Sequence, residues 1–300
     1  MRKLISVCTA MLILLLSAVA FANTDISRGA VIADGIGAPG QVASNGYRAA
    51  KVDAMRNLLE QVSGVRIDSE TIVRDSILES DVIKTKINGI VRGAKVVRRY
   101  VDEVGCFHVE MELPVYGETN SLASAVIPRM ERVSFPEPEV FAAPPVQPSA
   151  TATAITSTAV TNQDSITTPK KPPYTSNTMS NKPSYVNKPA VTANYTGVIV
   201  DCQGLGLETA MAPAIFGPNH KMVYGVQNFS HEQVIANGYV GYSKSVSSGV
   251  ERAGSNPLII KAVSVEGFCS PVISDKDAAM LLEANKKTGF LSKGNVVLVK

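Results

Sequence analysis

Residues 41–64, QVASNGYRAAKVDAMRNLLEQVSG, constrain the chain more than any other stretch. Ala43, Tyr47, Ala50, Ala54, Leu58, Val62 and Val65 recur at three- and four-residue steps, the period of one helix face. Val52, Met55 and Leu59 widen the stripe to about half the circumference, more than a lone surface helix needs. Arg56, Asn57, Glu60 and Gln61 keep the other side wet, and Gly64 stands where a left-handed C-cap is expected. The segments on either side read as strand. The helix is therefore expected to lie across a small sheet.

After it, residues 65–73 read as extended and residues 81–86 as a short second helix. Residues 88–101 and 106–115 read as an antiparallel hairpin turned at Asp102 to Gly105. In its second arm Phe107, Val109, Met111, Leu113 and Val115 face one way, and His108, Glu110 and Glu112 the other. The first arm alternates less well, and Gly93 suggests a bulge.

Between Pro136 and Asn194 apolar periodicity disappears, and ten of the seventeen prolines fall here beside many Ser, Thr and Asn. Such a stretch cannot bury enough surface to offset chain entropy, so it reads as a disordered linker. A second patterned region opens at Tyr195. Residues 196–202 and 258–265 read as strands, and residues 210–216 and 221–225 as a hairpin about Gly217-Pro218-Asn219. Ser230 with Gln233 forms a capping box for a short helix ending at Gly238. Ser274 and Asp277 start a helix that Lys286, Lys287 and Gly289 end, and residues 295–300 read as a core strand. The fold class is α+β: two small α+β domains, helix on antiparallel sheet, spanning 23–135 and 195–300 and joined by the linker 136–194.

Residues 1–22 read as an export signal: basic Arg2 and Lys3, an apolar run, then Ala20-Phe21-Ala22 for cleavage after Ala22. Cys8 lies inside the apolar run, away from the cleavage point, so no lipid anchor is expected. No other apolar run is long enough to span a bilayer. Removing Arg2 and Lys3 from the 29 basic residues leaves 27 against 26 acidic ones. That balance argues against nucleic acid, which demands a concentrated basic surface. Three cysteines remain: Cys106, Cys202 and Cys269. Export implies an oxidising compartment, and Cys202 and Cys269 could form a disulfide. The alternative is two separate buried thiols serving as small apolar side chains.

Few residues suggest chemistry. Gly35-Ile36-Gly37-Ala38-Pro39-Gly40 matches G-x-G-x-x-G between a strand and a helix. An antiparallel hairpin follows, however, and the position for the ribose-binding acid falls inside the helix, so a glycine-rich turn is the better reading. His108, Glu110 and Glu112 share a strand face and are metal-ligand types, but Lys95, Arg98 and Arg99 on the neighbouring arm explain the carboxylates by ion pairing. Asp201, Cys202, His220 and His231 form a conceivable nucleophile set with nothing to hold its geometry. Arg92, Lys95, Arg98 and Arg99 are a local basic cluster that an acidic partner could use, against a solvated, paired face as the plainer account.

The run AAKVDAMRNLLEQVSGVRIDSETIVRDS, then INGIVRGAKVVRRYVDEVGCFHVEMELPV, resembles the domain shared by the twenty-kilodalton bacterial lipoprotein family and the N-terminal part of flagellar assembly protein T. The likeness rests on Arg56-Asn57-Leu58, on Gly64-Val65, on Gly89, Val91 and Gly93, and on the last alternating strand. Residues 195–216 are similar to a module found behind this domain in uncharacterised exported proteins, where a basic residue is expected in place of Gln203. The resemblance implies a non-catalytic envelope protein with protein partners, set at the outer membrane or a flagellar ring, with self-association open. It supplies no catalytic, cofactor or metal residues. A periplasmic protein binding a small ligand or glycan through its C-terminal region is the alternative. A hydrolase centred on Cys202 is the third.

Overall fold

The computed structural model describes residues 24–138 and 194–300. The export signal and nearly all of the linker expected from the sequence lie outside the described residues.

The N-terminal region runs β1 (Ala30–Gly37), α1 (Ala43–Ser63), α2 (Val73–Glu79), α3 (Asp81–Arg92), β2 (Lys95–Val101), β3 (Phe107–Pro114) and α4 (Leu122–Val126). Its sheet is antiparallel in the order β1-β3-β2. Helix α1 covers one face, burying Gly46, Ala50, Ala54, Leu58 and Val62. From the sheet side Val31, Ala33, Phe107, Val109, Met111 and Leu113 are buried. The stripe is narrower than the sequence suggested, because Val52 is 59% exposed and Ala43 is also exposed.

Helix and strand approach closely because small residues meet at their contact. A Cβ added to Gly35 would stand 2.6 Å from Ala54 Cα, and one on Gly37 would stand 3.1 Å from the Gly46 carbonyl carbon. Gly46 in turn leaves room for the Phe107 ring, against which Tyr47 packs edge-on at 5.0 Å.

Three local readings change. Gly64 caps α1 in a right-handed conformation (φ −85°, ψ −4°), its N–H shared between the Gln61 and Val62 carbonyls, as the chain tightens to bury Val65. Residues 88–92 are helical, not strand: Ile87, Ile90 and Val91 are buried at helical spacing, and Ser80 caps the N-terminus by accepting from Ile83 N–H. Gly93 ends that helix, and the strand irregularity lies instead between Val96 and Arg98.

The C-terminal region comprises β4 (Gly197–Asp201), β5 (Ile215–Phe216), β6 (Met222–Tyr224), α5 (His231–Asn237), β7 (Gly241–Ser243), α6 (Val250–Ala253), β8 (Pro257–Lys261), β9 (Ser264–Glu266), β10 (Ser270–Val272), α7 (Asp275–Thr288) and β11 (Val296–Val299). The expected hairpin forms between β5 and β6. The capping box at Ser230 and Gln233 closes in both directions, and Gly289 ends α7 in the left-handed conformation. A parallel sheet, β7-β11-β4-β8, adds a pairing that the sequence did not disclose. Its central strands are near-continuous buried apolar runs, broken only by half-buried Asp201 at the end of β4, as parallel strands covered on both faces require.

The two regions also share one apolar core, which runs from Leu58 and Val65 to Met211 and Tyr239. Backbone bonds stitch them together: Met211 N–H to Arg66 O (3.0 Å), Ala212 N–H to Ile67 O (2.6 Å) and Gly117 N–H to Ile235 O (2.6 Å). Tyr116 donates its hydroxyl to Met211 O at 3.0 Å, and Arg66 pairs with Glu208 at 3.3 Å.

Candidate functional site

The glycine-rich segment is used up by packing. Gly35 and Gly37 permit the close approach of α1, and Asp53 on that helix accepts the Ile36 N–H at 3.1 Å. Asn57 donates to Asp34 O at 2.8 Å. These bonds occupy backbone groups at the outer edge of β1, which blunts that edge against pairing with another strand. A phosphate cradle needs such N–H groups free, and Ile36 already has its acceptor.

The opposite face of the N-terminal sheet has no covering layer among the described residues. At the turn end of the central strand β3, His108 lies in a clasp that reaches both neighbours. Nδ1 meets Asp34 Oδ2 on β1 at 2.9 Å, and Nε2 meets Asp102 Oδ2, just after β2, at 3.1 Å. Tyr100 stacks flat on the imidazole at 4.5 Å, and the Arg98 guanidinium lies over the Tyr100 ring at 4.5 Å. Hydrogen bonds accepted by the Asp34 and Asp102 carboxylates raise the His108 pKa above its usual value, against a smaller desolvation effect. The Cys106 backbone N–H, followed by His108, holds the Asp102 carboxyl below the usual range. The clasp therefore ties β1 to the β2–β3 turn through the His108 ring. Asp34, Tyr100 and Asp102 were not singled out from the sequence, since only the strand register brings them to His108.

The basic cluster is divided. Register sets Lys95 opposite Glu112 and Arg98 opposite Glu110 on the open face, while Arg99 stands opposite buried Val109 and Arg92 ends α3. All four are exposed. Beside Lys95 and Arg98 the open face carries Ile32 and Ile36, 38% and 53% exposed, with Asp34, Glu110 and Glu112.

The proposed nucleophile set is not assembled. His220 pairs with Glu266 at 2.9 Å in an exposed turn, and Asp201 accepts the Gln203 N–H at 3.1 Å. His231 starts α5 with a buried Nδ1 that has no partner among the described residues. Cys202 and Cys269 are separate buried thiols, so the disulfide considered from the sequence is not formed. Each has its own neighbour at 3.7 Å, Val200 O for Cys202 and Ser270 Oγ for Cys269. Burial pushes the Cys202 thiol up to about 12, with Asp201 adding to the effect, and Cys269 up to about 11. Thiols so suppressed serve as small core side chains.

With this geometry in view, two family comparisons divide the chain as the fold does. Residues 15–114 match the LPP20 lipoprotein, the twenty-kilodalton lipoprotein domain of the sequence reading. Residues 197–300 match the second domain of Treponema pallidum Tp0624. The N-terminal sheet with α1 is thus similar to the one, and the C-terminal sheets to the other. No curated protein matches the chain.

Proposed function

We propose that this is an exported, non-enzymatic protein of the bacterial cell envelope that acts as an adaptor or assembly factor. One observation carries the reading. The N-terminal sheet has one face roofed by α1 and the other open, and the open face sets Ile32, Ile36 and Tyr100 among Lys95, Arg98, Glu110 and Glu112. Apolar, aromatic and arginine side chains with both signs of charge suit a protein partner. The similarity to the LPP20 lipoprotein and the signal-like residues 1–22 support an exported envelope setting. The resemblance to flagellar assembly protein T adds a flagellar ring as one place for it, with the outer membrane as another. Cys8 is removed with the signal in this reading, so the mature protein carries no lipid. Nucleic acid, metal and cofactor have no part in it.

The test is deletion of the gene, followed by complementation with the wild type or with an Ile36→Asp, Tyr100→Ala double variant. Envelope integrity and flagella are then imaged. The deletion should impair one of them, and the wild type alone should restore it. Intact envelope and motility in the deletion strain would remove the assembly role. Mass spectrometry of the exported protein should find Asn23 at its N-terminus without an acyl group; an acylated chain would overturn the lipid-free reading.

A further inference from the structure

Where the segment before β1 meets the connection from α5 to β7, the structure holds a cavity of about 230 Å³. Ser27, Arg28 and Tyr116 line it from the N-terminal region, and Val240, Tyr242 and Arg252 from the C-terminal one. Among the described residues the two arginines are its only charged lining residues, and no Asp or Glu contributes.

Arg252 is held in place with care. Its Nε donates to Gly294 O at 2.8 Å and its Nη2 to Gly238 O at 2.9 Å. A Cβ on Gly241 would stand 2.7 Å from Arg252 Cδ, so the missing side chain there makes room for the arginine stem. Both acceptors are neutral carbonyls. None of the ion pairs among the described residues gives this guanidinium a carboxylate. Desolvation pulls its pKa down from the usual value, yet a guanidinium stays charged. The neighbouring phenols supply no counter-charge either. Tyr116 donates to Met211 O and Tyr242 to Ala210 O, and burial holds both phenols above their usual pKa.

A half-buried cation with only neutral acceptors is costly, and a second cation at the cavity wall raises the local positive potential. Guanidinium forks match the geometry of carboxylate and phosphate oxygens. We infer that this cavity is a binding site for a small oxyanion, a carboxylate or phosphate group held between Arg28 and Arg252. Its volume is below the roughly 300 Å³ at which drug-sized sites begin, so it takes a small acid or the anionic end of a larger molecule. The Tyr116 and Tyr242 rings and Val240 offer walls for the apolar remainder. This activity goes beyond the adaptor role and does not rest on it.

The test titrates the full exported chain with acetate, inorganic phosphate or chloride at constant ionic strength, following the melting temperature. A ligand of the native state raises it by mass action. Acetate or phosphate should give a saturable rise and chloride none; whichever acts identifies the anion. Arg28→Ala removes an exposed side chain and should weaken binding about tenfold. Gly241→Ala, which displaces the Arg252 stem, should weaken it as well. Arg48→Ala, on the exposed side of α1, should leave it unchanged. Absence of any saturable rise, an equal rise with chloride, or full binding by Arg28→Ala would each overturn the assignment.

Discussion

Replacing Gly35 by alanine tests the packing of the strand–helix unit most directly. The new Cβ would lie 2.6 Å from Ala54 Cα, with the Ala54 backbone nitrogen and the Ala50 carbonyl oxygen closer still. Carbon atoms rest about 3.5–4.0 Å apart, so β1 and α1 must separate by roughly 1 Å. The obstacle is backbone, and no rotamer change can relieve it. Overpacking of this kind costs about 1–3 kcal/mol, and a backbone collision points to the upper end. For a folded unit of this size, a loss of about 3 kcal/mol lowers the melting temperature by roughly 6–12 °C. Gly89→Ala is the matched control. Gly89 lies within α3 with nothing within 4 Å of an added Cβ, so alanine there should stabilise the chain by about 0.5–1 kcal/mol. Urea unfolding of both variants, with the midpoint and slope fitted together, reads out the difference. A Gly35→Ala protein within about 1 kcal/mol of wild type would refute the claim that packing explains this glycine. If ATP or NAD then shifted the wild-type midpoint and not that of the variant, the nucleotide reading would be restored.

Two further outcomes follow from the same structure. The folded pKa of His108 is raised above its ordinary 6.5. The stability it contributes is therefore fully present below pH 6.5 and is lost as pH rises through the folded value. Melting temperatures from pH 5 to 9 should show an alkaline-side loss that His108→Gln lacks; parallel curves for the two proteins would eliminate the clasp as a contributor. Asp102 works in the opposite sense, its contribution being lost as pH falls through its lowered value. For the thiols, a disulfide-exchange reagent should label half-buried Cys106 in the native protein but reach Cys202 and Cys269 only after unfolding. A native mass two hydrogens light, mapped to a Cys202–Cys269 cross-link, would contradict the free thiols.

What could be read from the chain alone was local. The Ala50-Ala54-Leu58-Val62 spacing located α1, the alternation from Phe107 to Leu113 located β3, and Ser230, Ser274 and Gly289 marked helix ends, because periods and caps are written within a few residues. Residues 88–92 were not legible as helix because Ile87, Ile90 and Val91 fit a short strand as well as the last turns of a helix, and only packing decides between them. Pairing across distance was not legible at all. The parallel β4–β11 ladder, the Arg66–Ala210 bridge and the meeting of Asp34, His108 and Asp102 each join segments far apart in sequence or set by register. The sequence on its own determined which faces had to be buried. The tertiary structure decided what buries them, since an apolar stripe is satisfied by any well-fitting neighbour, whereas the glycines, the clasp and the two cavity arginines acquire their roles only from the neighbours the fold provides.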